Sequence, residues 1–179
     1  SHLARPNAHM FYKWNPKAAY ESLQKAIQLA PAHSEAYDVF GLFHILTGKK
    51  EEAIKILEKA SLNDPLAPHL NHILAEAYIM NNQYDDAIRI ADRLLEMNPQ
   101  MRVALETKGW CYGMKGDWHK AAEYFIEVHR LTNHPLKGLA PLGFAYGKLG
   151  EKDKAHDIIK KIEQRQIEEP HAVLDPDLM

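Results

Sequence analysis

Residues 109–121 read GWCYGMKGDWHKA, and the spacing within this stretch repeats along most of the chain. Gly109, Tyr112, Gly116 and Ala121 recur every 34 residues as the same residue or a similar one. The recurring sets are alanine at positions 19, 53, 87, 121 and 155; glycine or alanine at 41, 75, 109 and 143; glycine or asparagine at 48, 82, 116 and 150; and tyrosine at 78, 112 and 146, with His44 in the position before them. Small side chains at fixed positions let helix backbones approach closely, and this period is typical of stacked helical hairpins. The sequence therefore predicts an all-α array of helix pairs rather than a globule with a catalytic cleft.

The composition argues against several classes of protein. A net charge of −2 over 179 residues lacks the basic excess of a nucleic-acid-binding protein. No apolar run approaches the roughly 18 residues that a membrane span needs, and the single cysteine, Cys111, cannot form an internal disulfide. We expect a cytoplasmic protein that binds neither nucleic acid nor membrane. Residues 1–10, SHLARPNAHM, are interpreted as an expression-tag remnant outside the fold.

Apolar residues at helical spacing, with glycine, asparagine and proline between the runs, predict where each helix begins and ends. The predicted helices are 16–29, 34–47, 51–62, 68–81, 84–97, 102–115, 118–131, 137–149 and 152–168. They divide the array of residues 11–168 into a half repeat, 15–33, and four full repeats, 34–67, 68–101, 102–135 and 136–168. Gly138 and Pro141 interrupt the first helix of the last repeat, which we expect to start late, near Leu139, or to bend.

Glycine at the eighth position of a unit, tyrosine at the eleventh, alanine at the twentieth and proline at the thirty-second, each present in most units, resemble the tetratricopeptide repeat family over residues 15–168. The resemblance implies a right-handed superhelical solenoid whose concave face binds proteins. The segments KWNP at 13–16, AIQLAP at 26–31 and DPLAP at 64–68 are similar to C-terminal repeat regions of bacterial signalling proteins, either transcriptional regulators or nucleotide cyclases.

The family resemblance also implies which first-helix positions line the concave face. Carried over by register, these are Glu35, Asp38, Leu42, Ile45 and Leu46; His69, His72, Glu76, Ile79 and Met80; Val103, Glu106, Trp110, Gly113 and Met114; and Lys137, Ala140, Phe144, Gly147 and Lys148. The candidate groove residues among them are Asp38, Leu42, His69, His72, Glu76, Glu106, Trp110 and Phe144. Trp110 and Phe144 would be aromatic anchors for a peptide or helix, and the carboxylates would favour a partner with basic and apolar residues. Trp110 could instead pack against a neighbouring helix and present only an edge.

One known use of the family is not expected here. Some tetratricopeptide domains clamp the C-terminal carboxylate of chaperones with lysine, arginine and asparagine at set positions. The corresponding positions of this chain hold Asp38, Leu42, Ile73, Val103 and Thr107. None of these is basic or an asparagine, so we do not expect chaperone-tail clamping.

Several residues could form a metal site, a pH sensor or a reactive thiol, but each has a simpler structural interpretation. His69, His72 and Glu76 share one face of one helix, where a solvated polar face is expected rather than a metal site. The eleven histidines could sense pH, although His44 is expected to be a hydrogen-bonded core residue. Cys111 occupies a position held by other small or apolar residues and should be buried and unreactive.

The sequence thus predicts a non-enzymatic protein-binding module with no metal or cofactor. The alternative is a regulatory domain of a larger signalling protein that acts by intramolecular contact or self-association. Residues 169–179 lack a polar terminal cap and are interpreted as the start of a truncated further repeat. Ends truncated in this way would also allow two copies of the chain to stack.

Overall fold

The computed structural model describes residues 15–29, 34–63, 65, 67–132 and 136–168. These residues form helices joined by short turns and contain no strand. The helices are α1 (Pro16–Leu29), α2 (Ser34–Leu46), α3 (Lys50–Asn63), α4 (Pro68–Met80), α5 (Tyr84–Met97), α6 (Arg102–Met114), α7 (Trp118–Arg130), α8 (Leu139–Leu149) and α9 (Lys152–Glu168). The predicted all-α class is confirmed, and the helix ends lie within two residues of their predicted positions. The predictions for residues 1–10 and 169–179 concern segments outside the described residues.

Helix α8 starts late, as Gly138 and Pro141 predict. Gly138 lies just before the helix with a positive φ of 83°, in the left-handed region that favours glycine. A Cβ atom there would lie 3.0 Å from the backbone nitrogen of His129, so the chain could not pass this close to α7 with a larger residue. Pro141 falls in the first turn of α8, where its missing N–H leaves no helical hydrogen bond broken.

The chain divides into two compact units, the first ending at Asn81 and the second beginning at Asn82. In the first unit α1 packs on α2, and α2, α3 and α4 pack on one another around Leu57, Leu70 and Leu74. The side-chain amide of Asn71 donates hydrogen bonds of 2.9 Å to the carbonyl oxygens of Pro65 and Ala67, which secures the turn before α4.

In the second unit each helix from α5 to α9 packs on the next. Its core includes the fully buried Phe125 of α7, against which residues of α8 and α9 pack. Trp110, Trp118 and Tyr146 lie partly buried at the edge of this core. None of the described helices is both long and apolar enough to cross a membrane.

The small residues of the 34-residue pattern lie where helices approach most closely. Ala53, Ala87 and Ala121 have no exposed surface. A Cβ atom on Gly41 would lie 2.6 Å from Leu57, and one on Gly109 would lie 2.5 Å from Phe125. Real Cβ atoms do not come this close to other heavy atoms, so these contacts require the small side chain.

His44 is buried as predicted, but the expected hydrogen bond is not found. The side chain is 4% exposed, and neither ring nitrogen has a hydrogen-bond partner among the described residues. The imidazole is surrounded by aromatic rings, with centroid distances of 5.9 Å to Tyr20, 4.7 Å to Phe40 and 5.7 Å to Phe43. His44 therefore serves as an apolar ring at the contact between α1 and α2.

Enlarging the buried alanines should destabilise the array. We expect Ala87→Leu or Ala121→Leu to lower the free energy of unfolding by about 1–3 kcal/mol, because the added atoms force the packed helices apart. Ala140→Leu, at an exposed position of α8, is the matched control. Thermal and urea unfolding measure the effect, and unchanged melting temperatures for both buried variants would contradict the assigned register.

Two glycines on first helices should respond to alanine with opposite signs. Gly109→Ala places a methyl group against the fully buried Phe125 ring and should destabilise the fold. Gly147→Ala meets nothing within 4 Å, so the higher helix propensity of alanine should stabilise it by about 0.5–1 kcal/mol. Urea unfolding of the two variants side by side tests this, and a shift of the same sign in both would refute it.

The burial of His44 should make stability fall in acid. Desolvation, reinforced by the positive charge of Lys49 and opposed by Glu52, lowers the pKa of His44 from its ordinary 6.5. Because the unfolded chain then takes up this proton at a higher pH than the folded chain, the free energy of unfolding decreases as pH falls below about 6.5.

Replacing His44 with tyrosine, the residue at this position in the other repeats, should remove this part of the acid sensitivity. Urea midpoints at about pH 7.5 and about pH 5.5, on either side of the histidine range, give the comparison. His119→Tyr, at an exposed position, should keep the wild-type difference between the two midpoints. An equal difference for wild type and His44→Tyr would show that His44 does not contribute.

Candidate peptide-binding surface

The eight candidate groove residues are distributed over both units. Asp38, Leu42, His69, His72 and Glu76 lie on α2 and α4 of the first unit. Glu106, Trp110 and Phe144 lie on α6 and α8 of the second unit. Each group is described within its own unit.

Asp38 is not the open groove carboxylate that the register predicts. Its side chain is buried, with 6% of the residue exposed, and His69 in the first turn of α4 lies against it. One carboxylate oxygen lies 3.6 Å from Nδ1 of His69, and the other has no hydrogen-bond partner among the described residues. The pKa of Asp38 is raised above its ordinary value, chiefly because the carboxylate is buried. His69 partly offsets this increase, and Glu35 adds to it. Asp38 is therefore poorly placed to attract a basic partner.

The polar face of α4 consists of paired side chains. His69 is largely exposed and lies against Asp38, whereas Nε2 of His72 lies 3.4 Å from a carboxylate oxygen of Glu76. Among the described residues, no group of three or more histidine, cysteine, aspartate or glutamate side chains is arranged to hold a metal ion. Leu42 is exposed on α2, but Ile45, also assigned to the concave face, is buried in the core.

In the second unit, the predicted aromatic residues come together with one that sequence reasoning missed. Phe144 is 48% exposed and contacts two indole rings, with centroid distances of 5.9 Å to Trp110 and 5.4 Å to Trp118. Trp110 is half-buried because its ring also contacts the buried Phe125 at 5.2 Å. Phe144 is thus the exposed ring, and Trp110 both supports it and keeps part of its own surface open.

Trp118 was missed because it opens a second helix, and the family register assigns concave positions only to first helices. Its ring covers Gly113, so that a Cβ atom on this glycine would lie 2.5 Å from the indole. Gly113 is therefore buried and does not line an open surface, although the family register assigned it to the concave face. The signal available in the sequence was a large aromatic residue five positions after a glycine.

The charged residues on the helices that carry Trp110 and Phe144 differ in their partners. A guanidinium nitrogen of Arg102 lies 2.8 Å from a carboxylate oxygen of Glu106, one turn further along α6. Lys148 of α8 is exposed, and its ammonium lies 5.3 Å from the Phe144 ring centroid and 5.9 Å from that of Trp118. We call the residues Trp110, Trp118, Phe144, Gly147 and Lys148 the aromatic surface.

Cys111 is buried without any exposed surface, as predicted, on the same helix as Trp110. Burial raises the pKa of its thiol to about 12. A thiol in this state carries almost no thiolate at neutral pH and is a poor nucleophile.

Models of protein families match three overlapping parts of the chain. Two are described as tetratricopeptide repeat and match residues 34–65 and 51–106. The third, described as anaphase-promoting complex, cyclosome, subunit 3, matches residues 80–165. The chain is also 23% identical over 138 residues to anaphase-promoting complex subunit 3 of Schizosaccharomyces pombe. This match covers 75% of the chain but only 20% of that relative, so the chain spans about a fifth of the relative's length.

Solved structures of repeat proteins superpose on most of the chain. MamA is 22% identical with a TM-score of 0.70, and the match covers 87% of this chain and 91% of that one. A putative kinesin light chain of Podosopora anserina with TPR-like repeats is 17% identical with a TM-score of 0.73, covering 87% and 89%. At these identities the likeness concerns the fold.

None of these descriptions names a transcriptional regulator or a nucleotide cyclase, so the resemblance to bacterial signalling proteins remains a prediction. The repeat pattern, the helix pairs and these matches together show that the chain is a tetratricopeptide repeat protein with an all-α solenoid fold.

Proposed function

We propose that the chain is a non-enzymatic interaction module and that the aromatic surface of its second unit binds a peptide or helix of a partner protein. The tetratricopeptide repeat fold is typical of protein-binding scaffolds. The proposal rests on the exposure of Phe144, whose ring is about half exposed although it contacts two indole rings.

The rings around Phe144 make this surface suitable for binding. Phe144 is held by Trp110 and Trp118, so a ligand that covers it orders few additional side chains and loses little entropy. Aromatic anchors of this kind contribute much of the binding energy in protein interfaces. Met114, exposed at the end of α6, adds apolar area on the same helix as Trp110.

The first unit also has exposed apolar residues of its own. Leu42 and Leu46 on α2 and Met80 on α4 are exposed apolar residues at positions that the family assigns to the concave face. We propose that they form a separate apolar contact surface within the first unit, with the hydrogen-bonding groups of His72 and Glu76 on the same helix as Met80.

The test uses peptides selected for binding to the purified chain. A displayed library of random linear peptides is selected on the immobilised chain, and the recovered peptides are synthesised and titrated by calorimetry. We expect Phe144→Ala to weaken binding by about tenfold or more, which corresponds to the 1.4 kcal/mol or more typical of an interface anchor. Trp110→Ala should also weaken binding, since it removes the support of Phe144.

Ile159→Ala is the matched control, because Ile159 on α9 is also 48% exposed and lies outside the aromatic surface. It should bind the peptides as the wild type does. Unchanged affinity for Phe144→Ala and Trp110→Ala, with circular dichroism showing both folded, would rule out the aromatic surface as the binding site. Light scattering of the free chain shows whether self-association competes for the same surface.

A further inference from the structure

We infer that the aromatic surface selects a partner segment in which an aspartate or glutamate lies close to an apolar anchor residue. The inference rests on the proposed function and specifies the chemistry of the partner. It follows from the position of Lys148 beside the exposed ring and from the ion pairs that the charged residues of α6 form.

The charged side chains of α6 are already paired. Arg102 contacts Glu106 at 2.8 Å, and Nζ of Lys108 lies 2.6 Å from a carboxylate oxygen of Asp92. A partner would have to share or displace an existing ion pair in order to use these charges. Glu106 therefore offers little attraction to a basic residue, contrary to the expectation from the sequence.

Lys148 is different from these residues. It is the single charged residue of α8, and its described contacts are with the rings of Phe144 and Trp118. Aromatic rings attract an ammonium group but leave its full positive charge in place. An incoming carboxylate can therefore pair with Lys148 without displacing another carboxylate.

Two carboxylates close in sequence to Trp118 and Lys148 have partners of their own. Asp117 precedes Trp118 and accepts a hydrogen bond of 3.0 Å from the backbone nitrogen of Lys120, which caps α7. Glu151 follows α8 and lies 2.5 Å from the ammonium of Lys154. Lys148 is the lysine of the aromatic surface, and a ligand that covers Phe144 would meet its ammonium group.

Gly147 leaves room for such a ligand beside Lys148. It is exposed, and a Cβ atom there would meet nothing within 4 Å, whereas Gly113 at the same repeat position is covered by Trp118. The ammonium lies 5.3 Å from the Phe144 ring centroid. Because a residue spans about 3.3–3.6 Å in an extended chain, the acidic residue would lie one or two positions from the anchor, or one turn away in a helix.

The experiment extends the peptide selection with charge variants. Among peptides whose binding depends on Phe144, we expect aspartate or glutamate to be enriched within a few residues of the apolar anchor. Replacing that aspartate or glutamate of the peptide by asparagine or glutamine should weaken binding to the wild-type chain by about two- to fivefold, as for the loss of an exposed ion pair. Added salt should reduce the difference between acid and amide peptides.

Lysine variants provide the reciprocal test. Lys148→Glu should weaken the acidic peptides by roughly tenfold and favour their amide versions, while Lys148→Arg should retain the preference for the acid. Lys160→Glu makes the same charge change at an exposed position of α9 and should have little effect. Lys148→Gln serves as a second variant if Lys148→Glu does not fold.

The outcomes separate this inference from the proposed function. Peptides that need Phe144 but show no acidic enrichment, or that bind Lys148→Glu as they bind the wild type, would overturn the inference and leave the proposed binding surface intact. A selection that yields no Phe144-dependent peptide would overturn both.

Discussion

The structure depends on close approach of helix backbones at positions where a larger side chain cannot fit. Gly41 faces Leu57 and Gly109 faces Phe125 at distances that exclude even a Cβ atom. Alanine meets the same requirement at Ala53, Ala87 and Ala121, all of which are fully buried. Because these contacts recur with the repeat, each helix buries one face on its neighbours and leaves another face available for binding.

This constraint explains why so much of the fold could be predicted from the sequence. The small residues and the turn residues recur at fixed positions of the 34-residue repeat. Once the period is known from one part of the chain, it therefore predicts where the helices begin and end in the other repeats. The same reasoning predicted the late start of α8, since the effects of Gly138 and Pro141 on the backbone are local. The ends of the array are less regular, and Ala19 and Ala155 are only partly buried.

The candidate site could be predicted only in part, because exposure of a side chain depends on what another helix places over it. The register assigned Asp38 to an open surface, but the residue is buried and His69 of α4 lies against its carboxylate. His44 was expected to need a hydrogen bond, yet three aromatic rings fill the space where a polar partner would lie. The period indicates the direction of a side chain and says nothing of what covers it.

The aromatic surface arises where the repeat stops being regular. Gly113 and Gly147 occupy the same repeat position, but the residue five positions later is Trp118 in one case and Lys152 in the other. The tryptophan covers Gly113 and extends to Phe144, whereas Lys152 is exposed and Gly147 stays open. Phe144 is therefore contacted by the two tryptophans of the preceding repeat, and no tryptophan of its own repeat covers it. In a chain whose repeats share only a few positions, the residue at this one position decides whether the glycine of the first helix is covered or exposed.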